Sequence, residues 1–159
     1  MANSINGART WAALLNPAPE VLHGLRTGRC VWAACGWSWD AVAIAPLQRG
    51  LEALDALPLP LDAGYTVIAD HARQELIVYI PCGTGGALDA LQGVRVLGRG
   101  TELLVPASRY GTFTAAWLSC THDDEEDHLI DPAQLQTALL AVDTRHLTQT
   151  DTAEHAFAE

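Results

Sequence analysis

Residues 94–108 read Val-Arg-Val-Leu-Gly-Arg-Gly-Thr-Glu-Leu-Leu-Val-Pro-Ala-Ser, and the fold turns on how they are read. Two apolar runs flank Gly98-Arg99-Gly100, and glycines at both ends of that triplet allow the positive φ values a reversing turn needs. Leu103, Leu104 and Val105 are continuously apolar, which suits a strand buried on both faces. Pro106 has no N–H for a ladder, so pairing should stop there. The stretch therefore predicts a β-hairpin over 94–105.

The neighbouring segments extend this pattern. Asn16-Pro17 predicts a helix with Asn16 as cap, running to Gly28. Residues 29–34 and 39–45 read as strands, and Pro46 opens a helix with Leu47, Leu51, Leu54 and Leu57 at helical spacing. Residues 65–69 and 75–80 are apolar strands joined by the polar turn 70–74, a second hairpin. A glycine-rich loop, 82–86, leads to a helical turn near Leu88. A strand around Trp117 follows, then Asp131-Pro132 caps a last helix with Leu135, Leu139 and Val142 on one face. The order predicts an α+β domain with an antiparallel-rich central sheet flanked by helices. Its bounds are 16–145, with an N-terminal segment at 1–15 and a polar, frayed tail at 146–159.

The chain has 159 residues, enough for one domain with a sizeable core. Its hydrophobic content of 49% against 18% charged residues excludes a disordered polymer. Its net charge of −10 repels phosphate backbones at long range and disfavours non-specific nucleic-acid binding. The first apolar run, 11–15, is too short for a signal-peptide core or a membrane span, so the expected location is cytoplasmic, with no membrane contact. Cys30, Cys35, Cys82 and Cys120 lack zinc-ligand spacing and read as small buried hydrophobes. No cofactor is implied.

The 94–108 stretch resembles the glycine-rich hairpin ending in Pro-Pro-Ser that marks bifunctional DNA primase/polymerase domains of the archaeo-eukaryotic primase superfamily. Asp131-Pro132-Ala133-Gln134-Leu135 is similar to the family's trailing Asp-Pro-x-x-Leu helix. The resemblance spans about 37–142 and implies an RRM-related architecture. It also implies a lost active site. The family's metal-binding aspartates map onto Ala43 and Ala45 of Val42-Ala43-Ile44-Ala45-Pro46, and its third acid maps onto Arg95. The nucleotide-contacting His of the family has no counterpart in residues 72–80. Two-metal phosphoryl transfer needs carboxylates at those places, so the expected protein is a non-catalytic, primase/polymerase-like interaction or regulatory module. Active priming is the least supported function.

Two sets of residues are candidates for what such a module does. Arg95, Arg99 and Arg109, with Ser108 and Tyr110, are the close basic cluster, and guanidinium forks there would hold a nucleotide or other phosphate. Locally paired, solvated arginines are the plainer alternative. Trp37 and Trp39, two apart in an extended segment, would share a face and with Trp32 form a stacking platform for a base or an anchor for a protein partner or a second copy, unless they complete a core. The acidic loop 121–128 between His122 and His128 fits no metal pattern, and no metal is expected. His71 reads as a turn residue.

Overall fold

Ala18 precedes a proline, which disfavours helical backbone angles there, and Ala18 is extended at the start of the first helix. A computed structural model describes residues 9–121, 126 and 128–156. Residues 12–15 form one 3₁₀ turn, and α1 (Pro19–Thr27) begins only at the second proline, with Ala18 extended at its cap. The predicted cap at Asn16 is thus displaced. β1 (Cys30–Ala34), β2 (Asp40–Ile44), α2 (Leu47–Asp55), β3 (Val67–Asp70) and β4 (Glu75–Ile80) follow. Then come α3 (Gly86–Asp89), β5 (Val94–Leu97), β6 (Glu102–Pro106), β7 (Gly111–Thr112), β8 (Ala115–Ser119) and α4 (Pro132–Ala156).

The chain is α+β, with antiparallel sheets flanked by helices. Six strands pair in the order β5-β2-β4-β3-β8-β7, and β1 and β6 form a separate two-stranded sheet. The strands alternate their side chains between two cores, as the pleat requires. Val42, Ile44, Leu76, Val78 and Ile80 face Leu47, Leu51 and Leu54 of α2 and Leu135, Leu139 and Val142 of α4. Ala41, Ala43, Ile77 and Tyr79 face the other way, toward Leu103, Leu104 and Val105 of the small sheet. Burial on both faces explains why β2 and β4 read as unbroken apolar runs.

Residues 94–106 do not form the predicted hairpin. β5 pairs with β2, Ala43 opposite Arg95, whereas β6 pairs with β1, Trp32 opposite Leu104. Ala34 lies opposite Glu102 and Ala41 opposite Leu97, so residues 35–40 on one side span the same gap as 98–101 on the other. The element is one long antiparallel ribbon bent at a corner, with two more residues on one side than on the other. Local sequence cannot separate a corner from a hairpin, because the partner strands lie far away in the chain. β6 is also less enclosed than its composition implied, since Leu104 and Val105 are only half-buried.

Both ends of the domain also differ from expectation. The segment at 1–15 contributes Trp11, which is 2% exposed; its indole N–H donates to Leu59 O and its amide to the Asp55 carboxylate, at 2.9 and 2.6 Å. α4 does not end near Arg145. The polar tail stays helical to Ala156, with the threonine hydroxyls at 144, 148, 150 and 152 donating to carbonyls one turn back. Asp131 caps α4 as expected, accepting the Ala133 N–H at 2.8 Å. Arg49 of α2 ties the helical layer together: it donates to both carboxylate oxygens of Asp143 at 2.8 Å and to Gln92 O at 2.7 Å. No helix among the described residues is long and apolar enough to cross a membrane.

Replacing Trp11 with Ala should destabilise the domain by about 3–5 kcal/mol, the usual loss for a buried large aromatic. Urea unfolding followed by circular dichroism measures it; a change below about 1 kcal/mol would show that the N-terminal segment is not part of the folded core.

Candidate functional site

The corner holds two backbones in close contact. Gly36 (φ +85°) and Gly100 (φ +90°) adopt left-handed angles there, and a Cβ on Gly36 would lie 2.4 Å from the Arg99 backbone. The Cys35 N–H donates to Thr101 O at 2.9 Å, the Thr101 N–H to Gly98 O at 3.1 Å, and the Gly36 N–H to Trp39 O at 2.8 Å. Beside the corner, between the small sheet and the large one, lies a cleft of about 410 Å³. Trp32, Asp70, Arg73, Ile77, Arg95 and Leu104 are among its walls.

The charges around this cleft are already matched. The Arg95 guanidinium donates to both oxygens of Glu75, at 3.0 and 2.8 Å. Asp70 is buried and accepts the Arg73 N–H at 2.8 Å, with the guanidinium 3.8 Å away. With Glu102 on the rim, three carboxylates face two arginines, a poor balance for an anion. Ala43, one of the positions mapped to a metal ligand, is buried against Ile77 and Arg95 and offers only a methyl group. Among the described residues no group of three or more His, Cys, Asp or Glu is placed to hold a metal.

The five residues of the predicted anion pocket do not converge. Arg95 lines the cleft, and Arg99 turns away to lie 4.2 Å over the Trp37 ring. Ser108, Arg109 and Tyr110 lie beyond the far end of β6, about 13 Å of strand away. There the Ser108 hydroxyl accepts the Arg29 and Gly111 N–H groups at 3.0 and 3.2 Å. Arg109 lies 5.2 Å over the Tyr110 ring, which fills the space above Gly24. The glycine-rich loop at 82–86 also serves the protein itself: the Gly83 N–H donates to the buried Asp40 carboxylate at 2.8 Å. Burial, with Asp40 nearby, pushes the Cys35 thiol up to about 11, so it stays protonated and inert.

Trp37 and Trp39 do not share a face. The segment is not extended: the Gly36 N–H donates to Trp39 O at 2.8 Å and closes a turn over residues 36–39. Trp39 stacks on Tyr79 at 3.8 Å and 14° inside the second core, while Trp37 is 69% exposed. Trp32 is 66% and Val31 51% exposed on β1. Val31 was not singled out in the sequence, although an uncharged Cys-Val-Trp-Ala-Ala strand could have flagged it. His71 sits half-buried in its turn, its amide bonded to Phe113 O; burial holds its imidazole below the ordinary 6.5 despite Asp70. Of the acidic loop, positions 122–125 and 127 lie outside the described residues, and the His128 Nδ1–H donates to Ala63 O.

No family model, no curated protein and no solved structure matches this chain.

Substituting Gly36 with Ala should cost more than about 2 kcal/mol, since it adds a left-handed backbone penalty to a backbone clash. The exposed Trp37 indole should lose its seat under Arg99. Chemical denaturation and the tryptophan emission maximum test both; an unchanged midpoint would show that the corner tolerates a side chain.

Proposed function

We propose that this chain is a non-catalytic, primase/polymerase-like domain that works as a protein-interaction or regulatory module. Its docking element is the β1 edge and the corner after it, with Val31 and Trp32 exposed on opposite faces of the strand and Trp37 exposed at the corner. The observation that carries the reading is the exposure of two tryptophans of a folded domain, Trp32 on β1 at 66% and Trp37 at the corner that follows it at 69%. Large aromatics left in water at this level are a signature of interface anchors.

The family part of the reading draws support from register. Two of the three residues mapped onto metal ligands, Ala43 and Arg95, are direct cross-strand partners on one sheet face, while the third, Ala45, follows the end of β2. Three converging acids would need that kind of adjacency. Here the positions hold a methyl group and a guanidinium chelated by Glu75, which leaves nothing to bridge divalent ions. A cytoplasmic setting and an RRM-related architecture belong to the same proposal. A nucleotide or anion ligand is the alternative; its five residues are dispersed, with Arg99 stacked on Trp37 and Arg109 on Tyr110.

A photo-crosslinking amino acid in place of Trp37, and in a control in place of the exposed Glu154 on α4, tests the reading in the producing cell. Protein adducts are expected from position 37 and not from position 154. Equal yields, or none, would overturn it. In parallel, nucleotides with Mg²⁺ should leave the melting temperature unmoved, whereas a shift of several degrees would establish a ligand site instead.

A further inference from the structure

We propose that β1 pairs with β1 of a second copy of this chain, antiparallel and centred on Trp32, joining two β1–β6 ribbons into one four-stranded sheet. The proposal rests on the interaction reading above and names its partner.

The phase of the β1–β6 ladder fixes which backbone groups are free. Arg29 O accepts the Ala107 N–H at 2.8 Å, and the Cys35 N–H donates to Thr101 O at 2.9 Å. Odd-numbered residues thus point their amides and carbonyls at β6, and Cys30, Trp32 and Ala34 point theirs away. Among the described residues no strand pairs with that side. The large sheet treats its own edges differently. The Val96 N–H of β5 donates to the Asp89 carboxylate at 3.1 Å, the Val94 N–H to Leu91 O at 3.2 Å, and β7 is two residues long. β1 has none of the usual protections: no charge, no proline, and no bulge in its five-residue register with β6.

Self-pairing follows from the residues themselves. A two-fold axis at Trp32 sets Cys30 opposite Ala34 and Val31 opposite Ala33 of the second copy, each larger side chain beside a smaller one. Only this register engages all three outward residues of both strands, each pair exchanging both of its hydrogen bonds. The central row becomes Leu104, Trp32, Trp32 and Leu104, an uninterrupted apolar band. Arg29 falls opposite Cys35, so the like charges of the two copies sit at opposite ends. A basic extended peptide finds no carboxylate on β1 to select it.

The test uses Ala34→Cys. In a hydrogen-bonded antiparallel pair the Cα atoms are about 5.5 Å apart, within disulfide reach. Within one chain, residues 30 and 34 are about 13 Å apart and cannot bridge. Mild oxidation of the full chain should give a covalent dimer, and peptide mapping should find the 30–34 link in preference to links through the exposed Cys82 or Cys120. Ala34→Pro removes an outward N–H and no β1–β6 bond. It should keep its far-ultraviolet spectrum and lose the dimer seen by analytical ultracentrifugation. If Ala34→Pro fails to fold, the cross-link alone decides. A wild-type monomer at about 100 μM, together with no 30–34 link, would overturn the pairing. Position-37 photo-adducts with a different protein would then show that the docking reading survives, whereas their absence would remove it too.

Discussion

The bend in the β1–β2/β5–β6 ribbon organises the rest of the molecule. Two antiparallel chains leave one sheet together, turn, and enter another, and every backbone group crossing the gap must find a partner or face water. Cys35, Gly36, Gly98 and Thr101 meet that demand with bonds among themselves and to Trp39. They can do so only because Gly36 lets the Arg99 backbone approach to within a Cβ's width. Once the corner is made, the small sheet must lie across the face of the large one. Ala41 and Ala43 on β2 are small enough to admit it. The cleft, the stacked Arg99–Trp37 pair and the open edge of β1 all follow from that placement.

Most elements were legible in the sequence, and the reason is periodicity. α2, β3, β4, β5, β6 and the start of α4 fall within a residue or two of where apolar spacing and Asp131 put them. Pairing was not legible. Gly98-Arg99-Gly100 reads the same whether the two strands fold on each other or onto strands some fifty or more residues away. The choice is made by the apolar faces of β1 and β2, which are not local information. The C-terminal end was misjudged for a different reason. Polarity after Arg145 argued for fraying, but the helix runs on to Ala156 and His146 reaches Glu52 of α2 at 2.7 Å. That contact, strongest among its causes, holds the Glu52 carboxyl below the usual range.

The residues read as a candidate site did not come together in space. Arginines clustered in sequence scattered in space, because β6 puts its own length between Arg99 and Ser108. Polar groups that would suit a ligand were claimed by the fold: Ser108 and the Gly83 amide by backbone and carboxylate partners, Arg95 by Glu75. Among the described residues no buried side-chain nitrogen or oxygen lacks a partner. A fully paired polar interior is what a scaffold needs, and it leaves little preorganised to seize a phosphate.

What the fold leaves unpaired is instead apolar and backbone in character. Natural sheets blunt their edges because an open ladder recruits strands indiscriminately. This chain follows that rule at β5, where it places Asp89 and Leu91 on the exposed amides. It does not follow it at β1, where tryptophan and valine stand beside three outward-facing backbone pairs. Both treatments occur within one ribbon, so composition alone does not account for the difference. An edge covered only in the assembled state is consistent with both, since protection would be needed solely where no partner comes. The same contrast separates docking from nonspecific stickiness: the exposed tryptophans lie at the unprotected strand and at the corner beside it.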